Sequence, residues 1–346
     1  MPLADLPIPL SLPPMEAKLV DGLPDDPGWR FEPKWDGFRC LAFRAGDEVE
    51  LRAKSGKPLG RYFPDVVEML RALPVKRFVV DGELTIDVGG ELSFEALQLR
   101  LHPAESRVRK LAAETPAGLM LFDCLLDAKG KALLDAPLTR RRAELEAFHA
   151  RAKAAPRLAL SPGTDDHAQA RDWLAHAGGA LDGVVAKRLD GPYIPGERAM
   201  LKIKRMRTAD CVVGGFRYEH DSRQVGSLLL GLYDEAGKLD HVGFCSTITD
   251  AERPALTACL EKLAGGPGFT GDAPGGPSRW STERTGQWTP LKPKLVVEVR
   301  YDHTTGGRFR HGTKLIRWRP DKAPRQCTME QLRAEAAPAR LAKALG

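Results

Sequence analysis

Residues 31–39 read Phe31-Glu32-Pro33-Lys34-Trp35-Asp36-Gly37-Phe38-Arg39. The stretch sets a lysine between two carboxylates, ahead of a glycine turn and an arginine. On a strand, Lys34 and Asp36 stand two residues apart and face the same way, and Gly37 lets the chain turn where a Cβ would obstruct. A lysine so placed is either the charge partner of a surface hairpin or a nucleophile. The second role needs a neutral amine, which nearby cations, bound metal or desolvation supply by lowering its pKa. The nonapeptide alone leaves both readings open. The rest of the chain must provide the cations, the metal carboxylates and a purine pocket.

Working outward, residues 29–56 read as strand, turn, strand and strand, with Gly46-Asp47 as a hairpin turn. Residues 64–73 carry Val66, Val67, Leu70 and Leu73 at helical spacing. Residues 77–86 form a β-branched strand with Asp81-Gly82-Glu83 in its middle, and residues 94–101 a short amphipathic helix. Residues 117–126 are apolar enough for a central strand, with Phe122 and Asp123 near its end. Helices follow at 138–151 and 166–177, then strands at 180–189 and over Met200–Arg205, where Lys202 and Lys204 share one face. The proline-rich start, MPLADLPIPLSLPPM, reads as an extended arm lying on this first domain, with neither the basic region nor the apolar core of a secretion signal.

Composition shifts near 206–210. Closely spaced strands with one helix at 251–264 predict a small Greek-key barrel of the OB-fold type. Residues 265–278 read as a flexible loop, and Thr328 to Gln331 as a capping box for a last helix. The fold class is therefore α+β, antiparallel-rich, with one domain over 1–205 and an OB-fold domain over 206–346.

The chain has 346 residues, 42% hydrophobic and 28% charged, with a net charge of +6, which permits a polyanionic partner without requiring one. Its six cysteines show no CxxC spacing, which argues against a structural zinc site and a disulfide framework and for a reducing cytosol. No apolar run is long enough to span a membrane.

Several residues then need two readings each. Glu83 and Asp182 are solvated strand-end carboxylates, or hard ligands for Mg²⁺ or Mn²⁺ shared with phosphate oxygens. Lys202 and Lys204 are a solvated face, or a phosphate site that depresses the pKa of a nearby amine. Phe122 is core, or stacks on a purine. Arg39 and Arg52 are positioned to hold phosphate or ribose. Between Lys292 and Arg325 lie ten Lys or Arg against three acidic residues, with Phe309 and Trp318 interleaved. That pattern is a solvated basic face or a surface for a polyanion.

Taken together and in order, these stretches resemble the covalent nucleotidyltransferases, the superfamily of DNA ligases, RNA ligases and mRNA capping enzymes. EPKWDGFR (32–39), LRAKSG (51–56), VVDGEL (79–84), LMLFDCL (119–125), LDGVVAKR (181–188), LKIKR (201–205) and RWRPDK (317–322) look like its motifs I, Ia, III, IIIa, IV, V and VI. FEALQLRLHP, DGVVAKRLDGPY and RFRHGTKLIRWRPDK are similar to bacterial ATP-dependent DNA ligases, of the stand-alone LigC type and the ligase domain of LigD. The resemblance implies an ATP-grasp-like nucleotidyltransferase domain followed by an OB barrel. It implies that Lys34 attacks the α-phosphorus of ATP to give lysyl-AMP, that AMP passes to the 5′-phosphate of nicked double-stranded DNA, and that the 3′-hydroxyl then displaces it.

By position, Glu32 would contact the adenine amino group, Phe122 stack on the ring, and Glu83 meet ribose or metal. Asp182 would meet the metal, although the family's residue there is glutamate, one methylene longer. Arg39 and Arg52 would hold ribose or the 5′-phosphate, and Lys202 and Lys204 the α-phosphate. Arg319, Asp321 and Lys322 would orient pyrophosphate in the first step only, the OB domain closing on ATP and then swinging to DNA about a hinge near 205–209. The resemblance further implies a monomer associated with the nucleoid, in DNA repair, with Ku and a separate repair polymerase as partners. Two other readings are an RNA ligase or capping enzyme, and a non-catalytic OB-type nucleic-acid-binding protein.

Overall fold

The computed structural model describes residues 2–152, 155–177, 181–275 and 287–333. The chain divides into two compact units, one running to Arg205 and the other beginning at Met206.

The first unit contains two sheets. One carries β1 (Ala17–Val20), β10 (Met200–Ile203), β9 (Leu181–Arg188) and β2 (Trp29–Trp35) in that order, with the β1–β10 pair parallel and the others antiparallel. The other orders β4 (Glu48–Ala53), β3 (Phe38–Ala45), β5 (Arg77–Val88), β7 (Ala117–Cys124) and β8 (Leu158–Leu160), with β6 (Glu91–Leu92) against β5. Period-two alternation decides which face each residue takes. On β2, Phe31 turns to a core with Val184, Ala186 and Ile203 under α5 (His167–Ala175), which adds Ala170 and Trp173. Glu32 and Lys34 turn the other way. Because β2 ends at Trp35, Asp36 falls in the turn, and it is Glu32 that shares Lys34's face.

The second sheet buries its outer face under α1 (Pro64–Ala72), α2 (Phe94–Arg100), α3 (Glu105–Glu114) and α4 (Leu138–Arg151), in a core that includes Phe63, Leu70, Leu97 and Phe148. Helix α3 was not expected from sequence: it offers only Val108 and Ala112 as buried residues, too thin a stripe to register as periodic. A third cluster joins the two sheets. The N-terminal arm sends Leu6, Ile8 and Met15 against Leu41, Phe43, Val79, Tyr193 and Met200. The arm is thus part of the core.

The second unit has an antiparallel sheet ordered β13 (Leu239–Cys245), β12 (Val225–Tyr233), β11 (Arg207–Tyr218), β15 (Val296–Tyr301) and β18 (Lys314–Trp318), with β14 (Thr289–Pro290) also on β11. A hairpin of β16 (Thr304–Thr305) and β17 (Arg308–Phe309) stands apart, and α6 (Arg253–Glu261) supplies Leu260 to the core. Among the described residues the sheet's edges meet at one bridge, Cys245 at the end of β13 with Thr313 just before β18. The ladder therefore does not close into the small barrel that was expected. The expected capping box is also rearranged ahead of α7 (Glu330–Arg333). Gln331 directs its amide to the backbone of Asp210, accepting from its N–H at 2.9 Å and donating to its carbonyl at 3.0 Å. Residues 276–278 of the expected loop and residues 334–346 of the expected last helix lie outside the described residues. All six cysteines are free thiols, and no described helix is long and apolar enough to cross a membrane.

Candidate active site

A cavity of about 210 Å³ opens in the first unit between the sheets, lined among others by Glu32, Lys34, Arg39, Glu83, Phe122 and Lys202. Six of the twelve sequence-predicted residues of this unit and of the basic stretch thus meet in one place.

Two glycines make the approach of the strands possible. A Cβ on Gly37 would lie 2.2 Å from the carbonyl oxygen of Leu84, so the turn after β2 passes β5 with no room for a side chain. Gly183 has φ +139°, and a Cβ there would lie 2.0 Å from the carbonyl oxygen of Ile203. That close approach sets β9 and the end of β10 side by side, which brings Asp182 and Lys204 together.

Lys34 donates to Asp182 Oδ2 at 2.6 Å, and Lys204 reaches the same oxygen at 3.1 Å. Burial alone would raise the Asp182 carboxyl's pKa, but the two ammonium groups outweigh it and hold the net value below the usual range. Lys202 lines the cavity, and its ammonium makes no hydrogen bond or ion pair among the described residues. Its pKa is lowered by burial and by the neighbouring Lys34, Lys204 and Lys54. A cation in that setting binds an anion readily, since the anion removes both penalties.

The opposite end is built for a flat, polar ring. Glu32 is 2% exposed, and Lys187 Nζ donates to its Oε2 at 2.7 Å. Its other oxygen, Oε1, has no hydrogen-bond partner and comes only within 3.9 Å of Arg30 Nε. A buried acceptor left in this way wants a donor. Lys187 also donates to the Phe122 carbonyl at 3.1 Å and stands 4.9 Å from the centre of its ring. Arg39 lies 4.4 Å over the same ring. It is held by Asp81, with Nε and Nη2 each 2.6 Å from a carboxylate oxygen, and Tyr193 donates its hydroxyl to Asp81 at 2.6 Å. Burial by itself would lower the Arg39 pKa; the ion pair with Asp81 dominates and raises it. Val185, opposite Glu32 in the β2–β9 register, lines the cavity across from these groups.

Glu83 is half-buried at the wall, and its carboxylate makes no hydrogen bond or ion pair among the described residues. Loss of water raises its pKa to about 7 against the pull of Arg39 and Lys34. Among the described residues there is no cluster of three or more His, Cys, Asp or Glu able to hold a metal by itself.

Not every expected residue lines the cavity. Arg52 is engaged at the β3–β4 hairpin, 3.0 Å from Glu50 and donating to the Gly56 carbonyl at 3.1 Å. Arg319, Asp321 and Lys322 form a cluster of the second unit. Arg319 pairs with Asp210 at 2.9 Å and Asp321 at 2.8 Å, and Lys322 with Asp210 at 2.7 Å. Hydrogen bonding to Arg319 draws the Asp321 pKa down to about 2. Sequence reasoning missed Lys187, Asp81, Tyr193 and Asp210. For Lys187 a signal existed: Gly183, Val185 and Lys187 alternate along β9, so a lysine sits on the face of a strand already bearing a motif.

Most of the chain matches known family models and proteins. Residues 14–204 match the family model for the ATP dependent DNA ligase domain, and residues 221–322 that for the ATP dependent DNA ligase C terminal region. DNA ligase C1 of Mycolicibacterium smegmatis is 43% identical over 339 residues, 95% of each chain. The ligase domain of LigD from M. tuberculosis is 30% identical, covering 92% of this chain and 98% of that one, with a TM-score of 0.48. A Lig E DNA ligase structure is 17% identical, covers 89% and 99%, and superposes with a TM-score of 0.55, which supports the mixed α/β, sheet-rich nucleotidyltransferase fold. With a lysine–carboxylate pair, an unpartnered cation and a buried acceptor in one cavity, and a family model spanning that cavity, the chain belongs to the ATP-dependent DNA ligases.

Proposed function

We propose that Lys34 is the residue that accepts AMP from ATP, and that the enzyme transfers it to the 5′-phosphate of nicked double-stranded DNA before sealing. The observation that carries this reading is the coexistence in one cavity of Lys34, its amine paired with Asp182 behind it, and the unsatisfied Glu32 Oε1. The exocyclic amine of adenine supplies the donor that Glu32 lacks, whereas a guanine carbonyl at the same position would meet it acceptor to acceptor. Phe122 and Val185 flank the ring.

Lys34 must shed a proton before its Nζ bonds to the α-phosphorus as the bond to pyrophosphate breaks. Asp182 Oδ2 is the nearest acceptor, and Lys204 on the same oxygen loosens its hold on Lys34. Lys202, lacking a counterion, is placed for the α-phosphate. Little covalent chemistry is asked of the protein beyond this; positioning and charge neutralisation do most of the catalysis. The oxygen donors Glu83 and Asp182 suit Mg²⁺ or Mn²⁺, with phosphate oxygens and water completing the shell. Such an ion, when bound, would neutralise phosphate charge and favour the ionised form of Glu83.

For the second unit we infer an OB-type role on DNA. Arg317 and Trp318 are exposed on the edge strand β18, in the basic stretch that sequence marks as a polyanion surface. Arg52, held at the hairpin in this structure, is assigned to the nick 5′-phosphate.

The test is incubation with α-labelled ATP and Mg²⁺ or Mn²⁺, followed by denaturing electrophoresis. Label on the wild type from ATP and not GTP, lost in Lys34→Ala, is the expected result. Label persisting in Lys34→Ala would assign the nucleophile to another lysine.

A further inference from the structure

One charged pair at the mouth of the cavity has no part in the scheme above. Glu16, from the end of the N-terminal arm, lies 2.9 Å from Lys54 at the end of β4, and both line the cavity together with Lys34 and Lys202. Its backbone is fixed on both sides: its N–H donates to the Glu197 carbonyl at 2.8 Å, and its own carbonyl accepts from Met200 N–H at 3.1 Å. The carboxylate is therefore anchored, whereas the lysine it holds is 60% exposed at the side chain.

The surrounding charge explains why an anion stands there. Hydrogen bonding to Lys54 leads the causes that lower the Glu16 pKa, with Arg198 and Lys202 adding to it. Of the other carboxylates near the cavity, Glu32 is committed to Lys187, Asp81 to Arg39, and Asp182 to Lys34 and Lys204, while Glu83 makes no ion pair among the described residues. Among the described residues that line the cavity, Glu16 is the carboxylate paired with an exposed cation, Lys54, where the leaving part of a triphosphate would pass.

We propose that Glu16 is a built-in competitor of phosphate: it occupies Lys54 in the resting site, yields it to the β- and γ-phosphates of entering ATP, and reclaims it as pyrophosphate departs. The inference rests on the ATP reading of the cavity. It makes Glu16 a residue that weakens the binding of both ATP and pyrophosphate, and so favours release of the product that would otherwise reverse lysyl-AMP formation. Both anions draw on the same Lys54 ammonium, so the exchange weakens the hold on each of them. No bond other than those of the first step is made or broken.

Glu16→Gln keeps the shape and removes the charge, and Glu16→Asp keeps the charge. We expect Glu16→Gln to lower the KM for ATP in self-adenylation and the inhibition constant of pyrophosphate together, each about fivefold, as for one unit charge near a phosphate in a watery mouth. Added salt shrinks the difference, and Glu16→Asp lies close to the wild type. Calorimetric titration of inorganic pyrophosphate reads the same site without chemistry. Tighter pyrophosphate in Glu16→Gln supports the inference even if Lys34 were not the nucleophile, whereas absent label in the wild type overturns the earlier reading. Labelling intact but both constants unchanged or raised overturns this one, as does a fall in Tm with both constants raised, which would make Glu16 a brace for the arm.

Discussion

Lys187 shows how one buried residue can tie binding chemistry to stability. It is 4% exposed, and its ammonium links Glu32 of β2 to the Phe122 carbonyl of β7, so it joins the two sheets. Removing it leaves the Glu32 carboxylate buried without its counterion. Lys187→Met should therefore cost about 3–5 kcal/mol in urea unfolding, far more than the double variant Lys187→Met with Glu32→Gln, in which no uncompensated charge remains. Glu83 gives a pH dependence of definite sign. Its pKa rises from 4.5 to about 7 on folding, so between those values the native state holds the extra proton. The unfolded state holds fewer, and stability falls as pH rises through that window. Glu83→Gln should flatten the fall and stabilise the ligand-free protein by roughly 1–2 kcal/mol at pH 8, after allowance for solvent screening. Chemical denaturation at pH 5 and pH 8 checks it; an equal effect at both values would remove burial of the charge as the cause.

The strands carry most of what sequence disclosed, because a strand tells its faces apart by period two alone. Lys34, Glu83, Phe122 and Lys202 were readable as candidate positions on strands, and all four line the cavity. What stayed hidden was non-local. Lys187 and Asp81 matter through the sheets that close over them, and neither the pairing of β2 with β9 nor that of β5 with β7 can be read from a window of neighbours. The closed barrel expected of the second unit fails for a related reason: strand number was legible, but closure depends on how far the edges at β13 and β18 run beside each other, which among the described residues is one bridge, Cys245 with Thr313. Glycine marks where strands come closest. Gly183→Ala would set a Cβ 2.0 Å from the Ile203 carbonyl at a φ that disfavours any side chain. We expect a loss of about 2–4 kcal/mol in stability. Because the shift moves Asp182 from Lys34 and Lys204, labelling with ATP should fall by at least tenfold, even at temperatures where the variant is folded. Wild-type labelling by folded Gly183→Ala would separate the Asp182 pair from the chemistry.

At the scale of the molecule, the two units carry different parts of the charge chemistry, and the reaction can be divided accordingly. The first unit holds the cavity with Lys34. The second holds Arg319 and Lys322, both tied to Asp210, in a chain region rich in exposed cations. Asp210 pairs with both cations and so fixes them side by side, 2.9 Å and 2.7 Å from its oxygens. If this cluster serves the departing pyrophosphate, its loss should be felt where pyrophosphate is made and nowhere later. Arg319→Ala should then lower self-adenylation from ATP by about 100-fold, the scale of one charge-stabilising group in a transfer step. The same variant should seal a nick already carrying 5′-adenylate at close to the wild-type rate. Its nick binding should keep nearly the wild-type salt slope, since Arg317, Lys314 and other cations of the stretch remain. The comparison is made with one preparation, given either ATP and a plain nick or the adenylated nick alone. Equal loss on both substrates would place Arg319 in DNA binding, and the steeper salt slope it then removes would appear as a difference of about one released counterion.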